Sequence, residues 1–343
     1  MTDQPAWQPA APAGAPWPTP GQPPGSSAER SPLSRHRGWQ WTSIGLIVAG
    51  LIVALFAIGI RGAAVQFPEY HISPVYTAVM LAMGGGLLLI GCVANLLRSI
   101  VVRRRLPAEL RYRGGSVLIM LLLAAVVATA VELPFTSDLL ALMSGEGDLS
   151  RLGTLVLLTV LQVTLVGLTV LFVLWPNALA GARFFAGSTP RAVLMGVLWG
   201  IPAWIVATLL AALVAQILQL FKIQPEPQVA EQFINQADPV IAVLATVVIA
   251  PIAEELFFRG VALNAWVREY GLRAGVVLSA LLFGLIHGSL AAFVPIFVLG
   301  LALAIIYRRT GNLASNIALH ATFNGISVLL ALLVRFGVFA LPQ

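Results

Sequence analysis

Long, unbroken apolar runs separated by short polar segments fill the chain after residue 38. They fall at 42–60, 75–97, 116–135, 152–175, 192–214, 240–263, 274–289, 291–307 and 313–334. Continuous runs predict helices, whereas the strands of a membrane barrel would alternate apolar and polar positions. Most approach the roughly 20 residues needed to cross a bilayer core. The seventh and eighth are short, and only Gly288, Ser289 and Leu290 separate them. They are either two abbreviated spans or a tight helical hairpin. The expected fold is an all-α polytopic membrane protein, a bundle of about eight to nine transmembrane helices.

Composition agrees. Of 343 residues, 59% are hydrophobic and 10% charged, against about 25% charged in soluble domains. So few charges cannot cover a soluble surface, which excludes a soluble enzyme, a secreted disulfide scaffold and a nucleic-acid-binding domain. Cys92 is the single cysteine, so neither an internal disulfide nor a thiolate zinc cluster is available. Residues 1–38 differ from the rest. Eight prolines fall in the first 29 residues among Gly, Ala, Ser and Gln, a composition that predicts a disordered tail. No apolar core follows a basic start there, so it does not read as a signal peptide. Trp7 and Trp17 within it are read as incidental.

The net charge of +6 is read as membrane orientation. With a cytoplasmic N-terminus and nine spans, sixteen of the twenty Lys and Arg residues fall inside and four outside. That is a strong positive-inside bias. The outer loops are acidic, with Asp138, Glu146 and Asp148 after the third span and Glu226, Glu231 and Asp238 after the fifth. The expectation is a multi-pass protein of the plasma (inner) membrane with its N-terminus in the cytoplasm.

Ionisable side chains within spans are costly and mark function. Glu254, Glu255 and Arg259 lie in the sixth predicted span, His287 in the seventh, and His320 and Asn324 in the ninth. Glu132, near the outer end of the third, can snorkel to water. Residues four apart share a helical face, so Glu255 pairs with Arg259. Glu254 sits about 100° around the helix with no partner in its own segment. A lone carboxylate in low dielectric takes up a proton more readily, as a general base must. Phe283 stands one turn before His287 and shields its ring. Gly284 and Gly288 form a small-xxx-small step for a neighbouring helix. Asn316, His320 and Asn324 make one polar stripe, which must face protein or water. Acid, imidazole and amide groups on three helices could activate a water for attack on a peptide carbonyl and stabilise the oxyanion. Glu254, His287 and His320 could instead hold a divalent metal such as zinc with one position open.

Three segments, Glu254-Glu255-xxx-Arg259, Phe283-xxx-His287 and His320-xxx-Asn324, resemble the CPBP family, the CAAX proteases and bacteriocin-processing proteins also called the Abi family. Type II prenyl-protein endopeptidases are its best-known members. The resemblance covers roughly residues 192–335. It implies a catalytic helical domain there, preceded by the 1–38 tail and an accessory region of about four helices at 39–191, and followed by a short tail at 336–343. It implies an intramembrane site opening toward the cytoplasm. Glu254 would activate the water, Glu255 with Arg259 would hold the site, and His287 would position or help deprotonate the water. His320 with Asn324 would form the oxyanion pocket. Use of a metal is disputed in the family, and H-E-x-x-H is absent here. The partners implied are a peptide or protein substrate in or at the membrane and the lipid bilayer, with no nucleic acid. The alternatives are an ion-coupled carrier and a non-proteolytic immunity or scaffold factor. One expectation strains this reading. By helical rise, Glu254 lies about 13 Å, His320 about 10 Å and His287 about 20 Å from the inner ends of their spans.

Overall fold

The computed structural model describes residues 37–66, 73–106, 111–144, 149–179, 184–220 and 236–338. The proline-rich tail, with Trp7 and Trp17, lies outside the described residues except for its last two positions. Ten helices follow one another: α1 (Arg37–Gln66), α2 (Pro74–Arg105), α3 (Val117–Glu132), α4 (Thr136–Ser144), α5 (Arg151–Leu174), α6 (Thr189–Leu220), α7 (Pro239–Tyr270), α8 (Leu272–Leu285), α9 (Leu290–Thr310) and α10 (Leu313–Arg335). Among the described residues there is no β-strand, only a single bridge between Phe185 and Asn312. Seven helices are long and apolar enough to cross a membrane, while α8 and the apolar part of α1 are shorter. The all-α polytopic fold expected from the apolar runs is the observed one.

Local chemistry sets the helix starts. Ser73, Ser150, Asp238, Ser289 and Asn312 each accept a backbone N–H of the first turn that follows, satisfying donors that have no intrahelical partner. Gly271 (φ 86°) and Gly311 (φ 61°) turn the chain between α7 and α8 and between α9 and α10.

Two predicted boundaries are corrected. The sixth apolar run stops at 263, but α7 continues to Tyr270, because the polar groups after the run are satisfied. The Asn264 amide donates to the carbonyls of Arg259 and Gly260, and Glu269 is gripped by α2. The seventh run extends to 289, but α8 ends at Leu285. His287 lies in the turn after it, and Gly288 at φ 66° supplies the left-handed backbone that the reversal requires. Gly288 is therefore a turn residue and not half of a small-residue step. Gly284 alone meets a neighbour, with Phe293 packed at 3.3 Å from where a Cβ would stand. With 14 residues, α8 spans only about 21 Å, so α8 and α9 form the hairpin alternative.

Polar contacts sort to two ends of the bundle. At one end Arg103 donates to Glu269 and to the Gly114 carbonyl, and Asn312 donates to Ala186 O. At the other, Arg151 pairs with Asp238 at 3.1 Å and Arg335 donates to Ala237 O. α7 runs between them through the core. Phe257, Phe258, Val261 and Trp266 of α7 are buried with Met120, Leu165, Phe283, Leu303 and Leu319 from five other helices. A helix apolar on all sides belongs at the centre of a bundle, and this one carries the glutamates.

Candidate active site

α7 is not a uniform α-helix. Leu244–Ile249 and Leu256–Leu263 are wound as π-helix, and the α-helical turn Ala250–Glu255 lies between them. Pro251 gives a physical reason for the first. A proline ring inside an α-helix strikes the carbonyl four residues back, here that of Val247, and the wider π turn relieves the clash. Such local widenings recur at functional sites.

Glu255 is fully buried and held from three sides. Its Oε1 accepts Arg259 Nη1 at 2.9 Å and lies 3.0 Å from His320 Nδ1, while Oε2 accepts the Asn316 amide at 3.3 Å. Arg259 and Asn316 also donate to the carbonyls of Gly300 and Leu303 on α9. The predicted Glu255–Arg259 pair is thus present and forms the hub of a buried polar network. Asn316, which the four-residue stripe contained without a role, is part of it.

Glu254 differs. Its Oε2 is buried without a hydrogen-bond partner among the described residues, and the nearest imidazole nitrogen, His320 Nε2, is 4.0 Å away. His287 directs Nδ1 to the Phe283 carbonyl at 2.7 Å. A carbonyl only accepts, so this nitrogen carries the proton and Nε2 is left as an acceptor.

Phe283 joins the parts. Its ring centroid lies 5.0 Å from that of His287, 5.7 Å from that of His320 and 5.2 Å from that of Phe258. The Arg259 guanidinium carbon stands 4.3 Å from the same centroid, a cation–π contact that steadies a buried charge. The spacing along the chain suggests only that Phe283 shields His287.

Glu254, Phe283, His287, His320 and Asn324 line one cavity of about 600 Å³. Asn324 donates its amide to Thr246 O at 2.9 Å, which ties α10 to the first π segment. α6 backs α10 closely. A Cβ on Gly196 would stand 2.2 Å from the Ser315 carbonyl oxygen, and one on Gly200 would stand 2.6 Å from Thr322 Cβ.

The depth mismatch expected from the predicted spans disappears. α10 begins level with Leu263, because Leu313, Leu263 and Tyr307 share one apolar cluster, and the last turns of α7 project beyond that level. Measured from it, Glu255 and His320 stand about 12 and 10 Å along their helices. Measured from the α7–α8 junction, Glu254 and His287 stand about 24 and 22 Å along theirs.

The cavity wall on α10 runs from His320 to Val334, and Leu157, Leu158 and Ala245 also line it, toward the Arg151–Asp238 end of the bundle. Among the described residues, no three His, Cys, Asp or Glu side chains are grouped so that they could hold a metal ion. Glu254, His287 and His320 line one cavity without forming such a group.

Comparison with known proteins bears on this same stretch of chain. Residues 236–326 match the family model described as type II CAAX prenyl endopeptidase Rce1-like. A Bacillus subtilis protein named "Putative membrane peptidase YdiL" is 24% identical over 141 residues, 40% of this chain and 57% of that protein. An Escherichia coli protein named "Uncharacterized 24.3 kDa protein" is 27% identical over 130 residues, 35% of this chain and 59% of that protein. The chain thus spans under three fifths of the length of these relatives. No solved structure matches it significantly. The matched segment contains α7 to α9, the start of α10 and every residue of the three motifs, so the likeness to the type II CAAX prenyl endopeptidase Rce1-like family rests on residues 236–326.

Proposed function

We propose that the protein is an intramembrane endopeptidase that hydrolyses a peptide bond of a membrane-associated substrate with a water activated by Glu254. The observation that carries this reading is the unpartnered Oε2 of Glu254, buried at the wall of a cavity that two imidazoles also line. A buried carboxylate oxygen without a donor is unfavourable for folding, and a bound water satisfies it.

Glu254 takes a proton from that water as the oxygen attacks the carbonyl carbon. His287, with Nδ1 committed to Phe283 O, offers Nε2 as a second acceptor and orients the water. His320, held at Nδ1 by Glu255, directs Nε2 toward the cavity. In its doubly protonated form it donates to the oxyanion of the tetrahedral intermediate, with Asn324 beside it. Glu254 then returns the proton to the leaving amine. Glu255, Arg259 and Asn316 position His320 and touch no reacting atom.

Comparing membrane-derived peptides from cells carrying the wild-type chain and Glu254→Ala tests the reading. Peptides present only with the wild type support it and reveal the substrate. Identical peptide sets overturn it.

A further inference from the structure

Gln162 stands in α5, outside the segment that the family likeness covers. Apart from Arg151 at its start, the other polar side chains of that helix are threonines. Thr159 and Thr164 return their hydroxyls to the carbonyls of Leu155 and Val160, and the buried hydroxyls of Thr154 and Thr169 have no partner among the described residues but do not line the cavity. Gln162 differs from all of them. It lines the same cavity as Glu254, and its Oε1 is buried without a hydrogen-bond partner among the described residues. A glutamine in a membrane helix ordinarily bonds across to a neighbouring helix. Here the neighbour across the gap is the cavity wall formed by Trp204, Ala207, Thr208 and Ala211 of α6. α5 packs on α3 and α7, and α6 packs on α9 and α10, so the cavity separates α5 from α6.

We infer that Gln162 is a substrate-positioning residue whose side-chain amide hydrogen-bonds the backbone of an extended peptide lying in the cavity between α5 and α6. This rests on the endopeptidase reading for its purpose but not for its test. A peptide that leaves the helical state in a low-dielectric site must find partners for its N–H and C=O groups. A primary amide supplies both a donor and an acceptor. A hydrocarbon chain would leave that amide unsatisfied, whereas a peptide backbone meets both its donor and its acceptor. The position also fits. The Arg151–Asp238 pair sets α5 and α7 level at one end. From there Gln162 lies about 16 Å and Glu254 about 24 Å along their helices. The difference of about 8 Å corresponds to about two residues of extended chain. Gln162 therefore holds the substrate backbone about two residues from the scissile bond, on the side toward Asp238.

The test uses the full chain carrying Glu254→Gln, so that nothing is cleaved, in phosphatidylcholine–phosphatidylglycerol vesicles. The probes are a fluorescent ten-residue Leu/Ala peptide and a set in which each backbone amide in turn is replaced by an ester. Adding Gln162→Leu, which conserves volume in an apolar helix, is expected to weaken binding of the all-amide peptide about tenfold. One ester peptide should bind weakly to the parent and lose nothing further with Gln162→Leu. Gln162→Asn should recover part of the loss. Unchanged binding with Gln162→Leu, an equal loss for every ester peptide, or no saturable binding at all overturns the inference. Gln162-dependent binding in a protein whose wild type cleaves none of the peptides overturns the endopeptidase reading and leaves a peptide-binding site. With cleavage present, Gln162→Leu should raise KM about tenfold while kcat is kept.

Discussion

Glu255 and His320, on different helices and 65 residues apart in sequence, meet at 3.0 Å between Oε1 and Nδ1 inside the bundle. The same oxygen also accepts Arg259. A buried carboxylate shared in this way fixes the imidazole by the only ring nitrogen not turned to the cavity. Removing Arg259 leaves Glu255 buried and short of its cation. Breaking such a pair from one side typically costs about 3–5 kcal/mol. Arg259→Ala is therefore expected to lower the unfolding temperature in detergent clearly, with activity lost because the fold is lost. An Arg259→Ala protein that unfolds like the wild type would show that α9 and α10 hold Glu255 without it.

Glu254 should behave in the opposite way. Its Oε2 makes no hydrogen bond within the described protein, so Glu254→Gln breaks no hydrogen bond at that oxygen. Thermal stability is expected to stay the same or rise slightly. Cleavage should fall by about 10²–10⁴-fold, the usual contribution of a positioned general base. Full cleavage by Glu254→Gln would remove it from the reaction.

Phe283 sits within ring-contact distance of both histidines and under the Arg259 guanidinium. Phe283→Leu keeps an apolar group of similar size, so the core survives, but the cation–π contact and the faces that confine the imidazoles are lost. Each such contact contributes about 0.5–1.5 kcal/mol. The expected result is a modest loss of stability with a larger loss of kcat than of KM. Equal kcat in Phe283→Leu and wild type would make the phenylalanine mere packing.

The sequence made the helical architecture legible because lipid imposes long apolar runs, and it made Glu254, Glu255, Arg259, His287, His320 and Asn324 legible because charge and imidazole are rare within such runs. Glu254, His287, His320 and Asn324 of these segments line one cavity. What hydropathy could not reveal followed from contacts distant in sequence. The last turns of α7 looked like loop because Asn264, Arg268 and Glu269 are polar, although carbonyls of α7 and Tyr307 of α9 satisfy Asn264, and α2 satisfies Glu269. His287 looked helical because Leu285 and Ile286 are apolar, yet the left-handed Gly288 already belongs to the turn. Asn316 was visible only as one member of a stripe, since its bond to Glu255 crosses between helices. Gln162 gave a faint signal, a single amide in an apolar span, whose meaning depends on the empty space beside it.

Asp238 starts α7 by accepting the N–H groups of Val240 and Ile241 and pairs with Arg151. The Ile241 N–H first, then that of Val240 and the Arg151 charge, hold its carboxyl below the ordinary aspartate value of 3.8. A folded-state value below the unfolded one stabilises at pH above the unfolded value, and the gain is lost as pH falls through the folded value. Asp238→Asn can still cap the helix but does not titrate. Stability curves of wild type and Asp238→Asn, measured from pH 7 downward, should therefore differ most above pH about 4 and converge below it. A constant gap at all pH values would assign the effect to the cap alone.

Glu269 ties the α1–α2 hairpin to α7. It is buried at the end of α7, accepts Ser99 Oγ at 2.8 Å and pairs with Arg103. Beside it the Tyr270 hydroxyl donates to Asn95 at 2.8 Å, and the Arg98 guanidinium carbon stands 4.3 Å from the Tyr270 ring centroid. These contacts are the main bridge between α2 and α7. The rest of α1 and α2 pack chiefly on each other, with Gly50 and Gly84 in backbone contact. Glu269→Ala leaves Arg103 without its carboxylate and Ser99 without its acceptor, so the hairpin should detach while α3 and α5 to α10 stay folded. Hydrogen–deuterium exchange of the α2 backbone around Ser99 reports the separation. Its protection should fall sharply in Glu269→Ala, whereas the melting of the remaining bundle should move little. Unchanged protection would mean that Tyr270 and Arg98 suffice to hold α2 in place, and the role given to Glu269 would pass to them.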